Sequence, residues 1–122
     1  MKKALMIAAA AAFVMGGMAA TADASALGKC KACHNLDSAD KKVGPGLKGI
    51  PGKTQGSLEG FKYGSYLKAQ ADAGAVWDDA ALEAWVCGSK DVAKAAGGKS
   101  KMPNQKVCGD DAKAAVAELK AL

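Results

Sequence analysis

Five consecutive residues, Cys30-Lys31-Ala32-Cys33-His34, constrain this chain more than anything else in it. A two-residue spacer lets one turn of backbone present both thiols, and the histidine falls directly beside the second. C-x-x-C-H is the pattern of haem c attachment: the thiols add across two vinyl groups of the porphyrin edge, and the imidazole becomes the proximal iron ligand. Three simpler uses of the cysteines fit less well. A dithiol redox pair has no need of His34, and no strand precedes the segment to start a thioredoxin-like unit. A structural zinc site spreads its ligands as two spaced pairs and needs a fourth. A plain Cys30–Cys33 disulfide leaves His34 without a role.

The N-terminus agrees with chemistry completed outside the cytoplasm. Lys2 and Lys3 make a basic start, Ala4 to Met15 an apolar run, and Ala22-Asp23-Ala24 a small-x-small cleavage site. Residues 1–24 therefore read as a cleaved export signal and 25–122 as one domain, with cleavage nearer Ala19 as the alternative. The apolar run stops at Gly16-Gly17, short of the ~20 residues that span a bilayer, so no membrane anchor is expected after processing.

Removing the first 24 of 122 residues leaves 98, with 15 of the 17 basic residues and 11 of the 12 acids, a net charge of +4. Every basic residue is lysine. Without the guanidinium fork, and without aromatics interleaved among the cations, nucleic acid is not an expected partner. A diffuse lysine surface suits brief docking on acidic proteins by a monomer. Large apolar side chains are few and alanine makes up much of the hydrophobic count, so a cofactor is expected to fill the middle of so small a domain.

Candidate axial ligands are scarce. His34 is the only histidine, and Met102 the only methionine beyond residue 18. A lone methionine is ordinarily core filler. Lys101-Met102-Pro103, however, sits in a polar, glycine-rich stretch without helical periodicity, where an iron ligand explains the thioether better than packing does.

With these residues in place, the segment from about Leu27 to Leu122 resembles the class I cytochromes c. Val43-Gly44-Pro45-Gly46-Leu47 is similar to the family's G-P-x-L loop, which implies that the Pro45 carbonyl bonds the proximal His34 and that Leu47 belongs to the haem pocket. Phe61-Lys62-Tyr63 and Gly74-Ala75-Val76-Trp77 resemble the segments whose tyrosine and tryptophan reach a haem propionate. Ser100-Lys101-Met102 resembles the distal ligand loop. The resemblance implies an all-α cytochrome c fold, three to five short helices and loops around one covalent haem. Where the family commonly has an arginine beside the inner propionate, this chain has Lys53.

Periodicity places the helices. Ala112, Ala115, Val116, Leu119 and Leu122 share a face after Asp110-Asp111; Leu82, Trp85 and Val86 share one in a helix opened by Trp77-Asp78 and closed by Gly88; Ser65 to Ala73, stopped by Gly74, makes a third. No segment alternates as a strand. In an oxidising compartment Cys87 and Cys108 are expected to pair, closing a loop around Met102 as a staple and as a clamp on the thioether.

The expected function is a periplasmic single-electron carrier, not an enzyme, with Lys29, Lys31, Lys99, Lys101 and Lys106 steering acidic partners. Two alternatives belong to other classes. One is a haem enzyme or gas sensor with an open distal site, for which no distal histidine or arginine exists. The other is a dedicated subunit of a dehydrogenase complex.

Overall fold

The computed structural model describes residues 26–122; the proposed export signal and its cleavage site lie outside them. A single 3-10 turn, Gly28–Cys30, carries the first haem cysteine. Three helices follow: α1 (Ser65–Asp72), α2 (Asp79–Ala95) and α3 (Asp110–Ala121). Among the described residues there is no strand, only an isolated antiparallel bridge between Thr54 and Val76. The helices occupy the segments that periodicity marks, with two corrections.

The first concerns α2. Asp78 caps it, its carboxylate accepting from the Ala81 N–H at 2.8 Å, which satisfies one of the donors that a helix start leaves without a partner. Gly88 was expected to end the helix. It breaks the helical path instead, with φ −158° and ψ 75°, and the chain resumes as helix to Ala95. The second concerns Leu122, expected on the inner face of α3. That face is Ala112, Ala115, Val116 and Leu119. Leu122 lies past the last turn and is 38% exposed.

The inner faces of α2 and α3 pack together in a cluster of Leu27, Trp77, Leu82, Trp85, Ala115, Val116 and Leu119. Leu27 is the contribution of the N-terminal side: it is 2% exposed and stands just before the turn that bears Cys30. The turn that bears the attachment motif is thereby tied to this cluster through one side chain. Trp85 stacks on Tyr66 of α1 at 5.6 Å and 15° and meets Trp77 at 5.6 Å and 59°, separations at which aromatic pairs attract.

Trp77 is held in turn by its backbone. Its N–H donates to Lys53 O and its carbonyl accepts from Gly52 N–H, each at 2.8 Å. The loop that crosses it buries Gln55, whose amide donates to Val76 O at 2.9 Å. The loops of this fold are thus tied down by backbone pairing, as buried polar groups require.

Candidate functional site

The attachment motif forms one turn. Cys30 O accepts from Cys33 N–H at 3.2 Å and His34 N–H at 2.9 Å, and Cys30, Cys33 and His34 all line a single cavity of about 170 Å³. The next loop docks on this turn, through Gly44 N–H to Cys33 O at 2.7 Å and Leu47 N–H to Asn35 O at 2.8 Å. Docking brings Pro45 O to 2.7 Å from His34 Nδ1. A carbonyl can only accept, so Nδ1 carries a proton, and in the neutral ring Nε2 keeps its lone pair.

Gly44 makes this approach possible. A Cβ at position 44 would lie 2.8 Å from His34 Nδ1 and 3.1 Å from Nε2, closer still to the carbon between them. The ring therefore rests on bare backbone, which together with Pro45 O fixes its orientation.

Met102 lines the same cavity. Its backbone is held by Ser100, whose hydroxyl accepts from Met102 N–H at 3.0 Å and donates to Met102 O at 2.9 Å. The remaining wall is apolar and aromatic, with Leu47, Leu67, Trp77, Leu82 and Trp85 among its residues. Cys87 and Cys108 are joined as a disulfide, their Cα atoms 4.5 Å apart, so the segment bearing Met102 is closed on itself.

Tyr63 and Trp77 also line the cavity. The Tyr63 hydroxyl accepts from Leu58 N–H at 3.1 Å, leaving its own proton free to donate. Burial pushes the phenol above its ordinary range, opposed in part by that N–H. Among the described residues no acceptor meets the indole N–H of Trp77, which is 7% exposed. Lys53 is not brought to the cavity. It is exposed, its side chain lies over Gly49, and only its carbonyl serves the site, through Trp77 N–H. Pro45, Leu47 and Ser100 are all cavity residues.

These residues fit a covalent haem. Two thiols and an imidazole with an available nitrogen line an apolar cavity together with a thioether, and two buried polar groups, one phenol and one indole, retain donors for an anionic ring substituent. Burial raises the Cys30 thiol first, and the neighbouring Cys33 and Glu118 raise it further. Sequence reasoning left out the cavity roles of Phe61, Leu67 and Val86. Val86 was marked as inward-facing by its helical period, which cannot separate packing on a helix from packing on a cofactor.

Comparison with known proteins agrees. No family model matches the chain. The cytochrome c2 of Pararhodospirillum photometricum is 37% identical over 86 residues, covering 70% of this chain and 76% of that one. The cytochrome c-550 of Ancylobacter novellus is 43% identical over 63 residues, 51% of this chain and 59% of that one. Among solved structures, cytochrome c2 from Rhodospirillum centenum matches with a TM-score of 0.70 at 27% identity, covering 82% of this chain and 94% of that one. Fold, attachment motif and relatives together place the chain among the class I bacterial cytochromes c, a family of electron-transfer proteins rather than enzymes that carry haem c in covalent linkage. The haem enzyme alternative is thereby set aside.

Proposed function

We propose that this electron carrier works in the periplasm, holds its iron between His34 Nε2 and the Met102 sulfur, and exchanges single electrons with acidic partner proteins in brief encounters. The observation that carries this reading is the shared cavity of His34 and Met102, with His34 Nδ1 already occupied by Pro45 O. Haem bound there supplies a one-electron Fe(III)/Fe(II) couple. Everything else is the work of the chain. The Pro45 carbonyl draws on the Nδ1 proton and strengthens Nε2 as a donor. Gly44 and the docked loop keep the ring from turning. The aromatic and aliphatic walls exclude water, which disfavours the more highly charged oxidised state, and a thioether favours the reduced one. Both effects predict a positive reduction potential.

Three lysines, Lys29, Lys99 and Lys101, border the cavity, and Lys31 and Lys106 are exposed. The ammonium groups of Lys29 and Lys101 donate to the carbonyls of Gln105 and Lys62, at 3.0 and 2.8 Å. The ion pairs among the described residues, Lys113–Glu83 and Lys120–Asp79, join α3 to α2 instead. Charge near the cavity is left uncompensated for a partner to meet. No helix among the described residues is long and apolar enough to cross a membrane, and export rests on the basic and apolar start of the sequence.

The test is the optical spectrum of ferric and ferrous holoprotein purified from a periplasmic fraction, with its N-terminus sequenced. A near-infrared iron–sulfur charge-transfer band, no binding of carbon monoxide and a start close to Ser25 are expected. Carbon monoxide binding to native protein, or a negative midpoint potential, refutes the axial pair. A reaction rate with redox partners that ignores ionic strength removes the steering role of the lysines.

A further inference from the structure

We infer that Ser89 is a positioning residue for the Met102 ligand, fastening the methionine loop to the break in α2; this rests on Met102 being the axial ligand. Ser89 is fully buried, at 0% exposure. A serine inside a helix ordinarily turns its hydroxyl outward or back to the carbonyl four residues earlier. Here it leaves its helix and donates to Met102 O at 2.7 Å and Pro103 O at 3.2 Å. It is the group that reaches the Met102 backbone from outside the loop, since the other partner, Ser100, lies within it.

The helix is broken where this bond forms. Gly88, with its non-helical φ and ψ, stands between the Val86 and Cys87 carbonyls and the Lys90 N–H. All three find partners in the residues after Met102: Val107 N–H donates to Val86 O at 3.1 Å, Lys106 N–H to Cys87 O at 3.0 Å, and Asn104 Oδ1 accepts from Lys90 N–H at 2.7 Å. Backbone polar groups seek such partners, so the break and the loop form one unit. Helix and loop close around residues 86–90 and 102–107, and Ser89 is the side chain of that seam aimed at the ligand residue itself.

The expected consequence is that Ser89 governs how readily the thioether yields its place to an outside ligand. Imidazole is the probe, titrated optically into ferric holoprotein, where it must compete with the Met102 sulfur. Ser89→Ala keeps helix propensity and removes the hydroxyl proton shared between the Met102 and Pro103 carbonyls, for which apparent imidazole affinity should rise about tenfold. Ala93→Gly is the control, at a fully buried position of the same helical segment that makes no side-chain hydrogen bond and lowers overall stability comparably. Tighter imidazole binding in Ser89→Ala with unchanged binding in Ala93→Gly supports the assignment. Unchanged affinity in Ser89→Ala alongside reduced stability to guanidinium makes Ser89 merely structural and overturns it, as does an equal rise in both variants. If the wild-type protein lacks the iron–sulfur band and binds imidazole without displacing a ligand, the Met102 reading itself falls, an outcome distinct from the other two.

Discussion

Replacing Gly44 with alanine tests the geometry of the proximal side directly. The backbone at Gly44 is not in the left-handed region, so a methyl group acts through its volume alone. It would stand 2.4 Å from His34 Cε1, where 3.4 Å is the lower bound of ordinary contact. The imidazole must therefore retreat by the difference, 1.0 Å, or the loop must lift by as much. Either movement, directed away from the other group, stretches the 2.7 Å bond to Pro45 O past the limit of a hydrogen bond. Forcing a methyl into a packed site costs about 1–3 kcal/mol, and the loss of one buried hydrogen bond about 1 more. Guanidinium unfolding of the holoprotein should show destabilisation of about 2–4 kcal/mol, and the His34 Nδ1 proton should exchange faster with solvent by NMR. A variant within about 0.5 kcal/mol of wild type, with unchanged Nδ1 proton exchange, would show that the ring does not rest on Gly44 and would falsify the account of how it is oriented.

Other outcomes follow from the same structure. Removing the cystine as Cys87→Ala/Cys108→Ala opens a loop whose ends are 21 residues apart, and chain entropy assigns its closure about 3 kcal/mol; a guanidinium midpoint unmoved by the double substitution would count against the staple. Lys106 has φ +60°, a conformation that costs an L-residue about 1–2 kcal/mol, while glycine gives back about 1 through its greater freedom when unfolded. Lys106→Gly should then be neutral to slightly stabilising, and marked destabilisation in thermal melts would contradict it. For Tyr63 the sign follows from burial, which raises the phenol in the folded state. The unfolded chain ionises first, near pH ~10, so stability is complete below that value and is lost as pH rises toward the folded value. Tyr63→Phe should flatten this alkaline decline, and an identical slope in both proteins would exclude Tyr63 as its source.

The parts of the site readable in the sequence are those where chemistry demands a residue type. Cys30, Cys33 and His34 declare themselves by spacing, and Met102 by being the lone thioether in a loop. The helices are readable where apolar periodicity is regular, as at Leu82, Trp85 and Val86 or Ala112, Ala115 and Val116. What failed to show depends on partners remote in sequence. Gly88 has the local signature of a helix stop, yet the chain turns helical again because Asn104, far along, supplies the acceptor that starts the new segment. Nothing in its local sequence singles out Ser89, whose role shows only with Met102 O beside it. Lys53 owed its place in the pocket to likeness alone, and its long flexible side chain runs outward over Gly49.

The scarcity of large apolar residues has a structural counterpart. Of the buried cluster between α2 and α3, Trp77, Leu82, Trp85 and Leu119 also line the cavity. Each such side chain presents one surface to the protein and another to the cavity, so this small set of residues forms both the core and the binding wall. Its buried apolar area, worth about 25 cal/mol per Å², is completed only when the cavity is filled, and a ligand bound by the native state alone stabilises that state. The covalent thioether links make this permanent, because the group that completes the core cannot diffuse away. A chain too poor in leucine and aromatics to fold densely around its own side chains can thus sustain a rigid ligand cage, and a rigid cage is what allows iron to change charge without its ligands changing place.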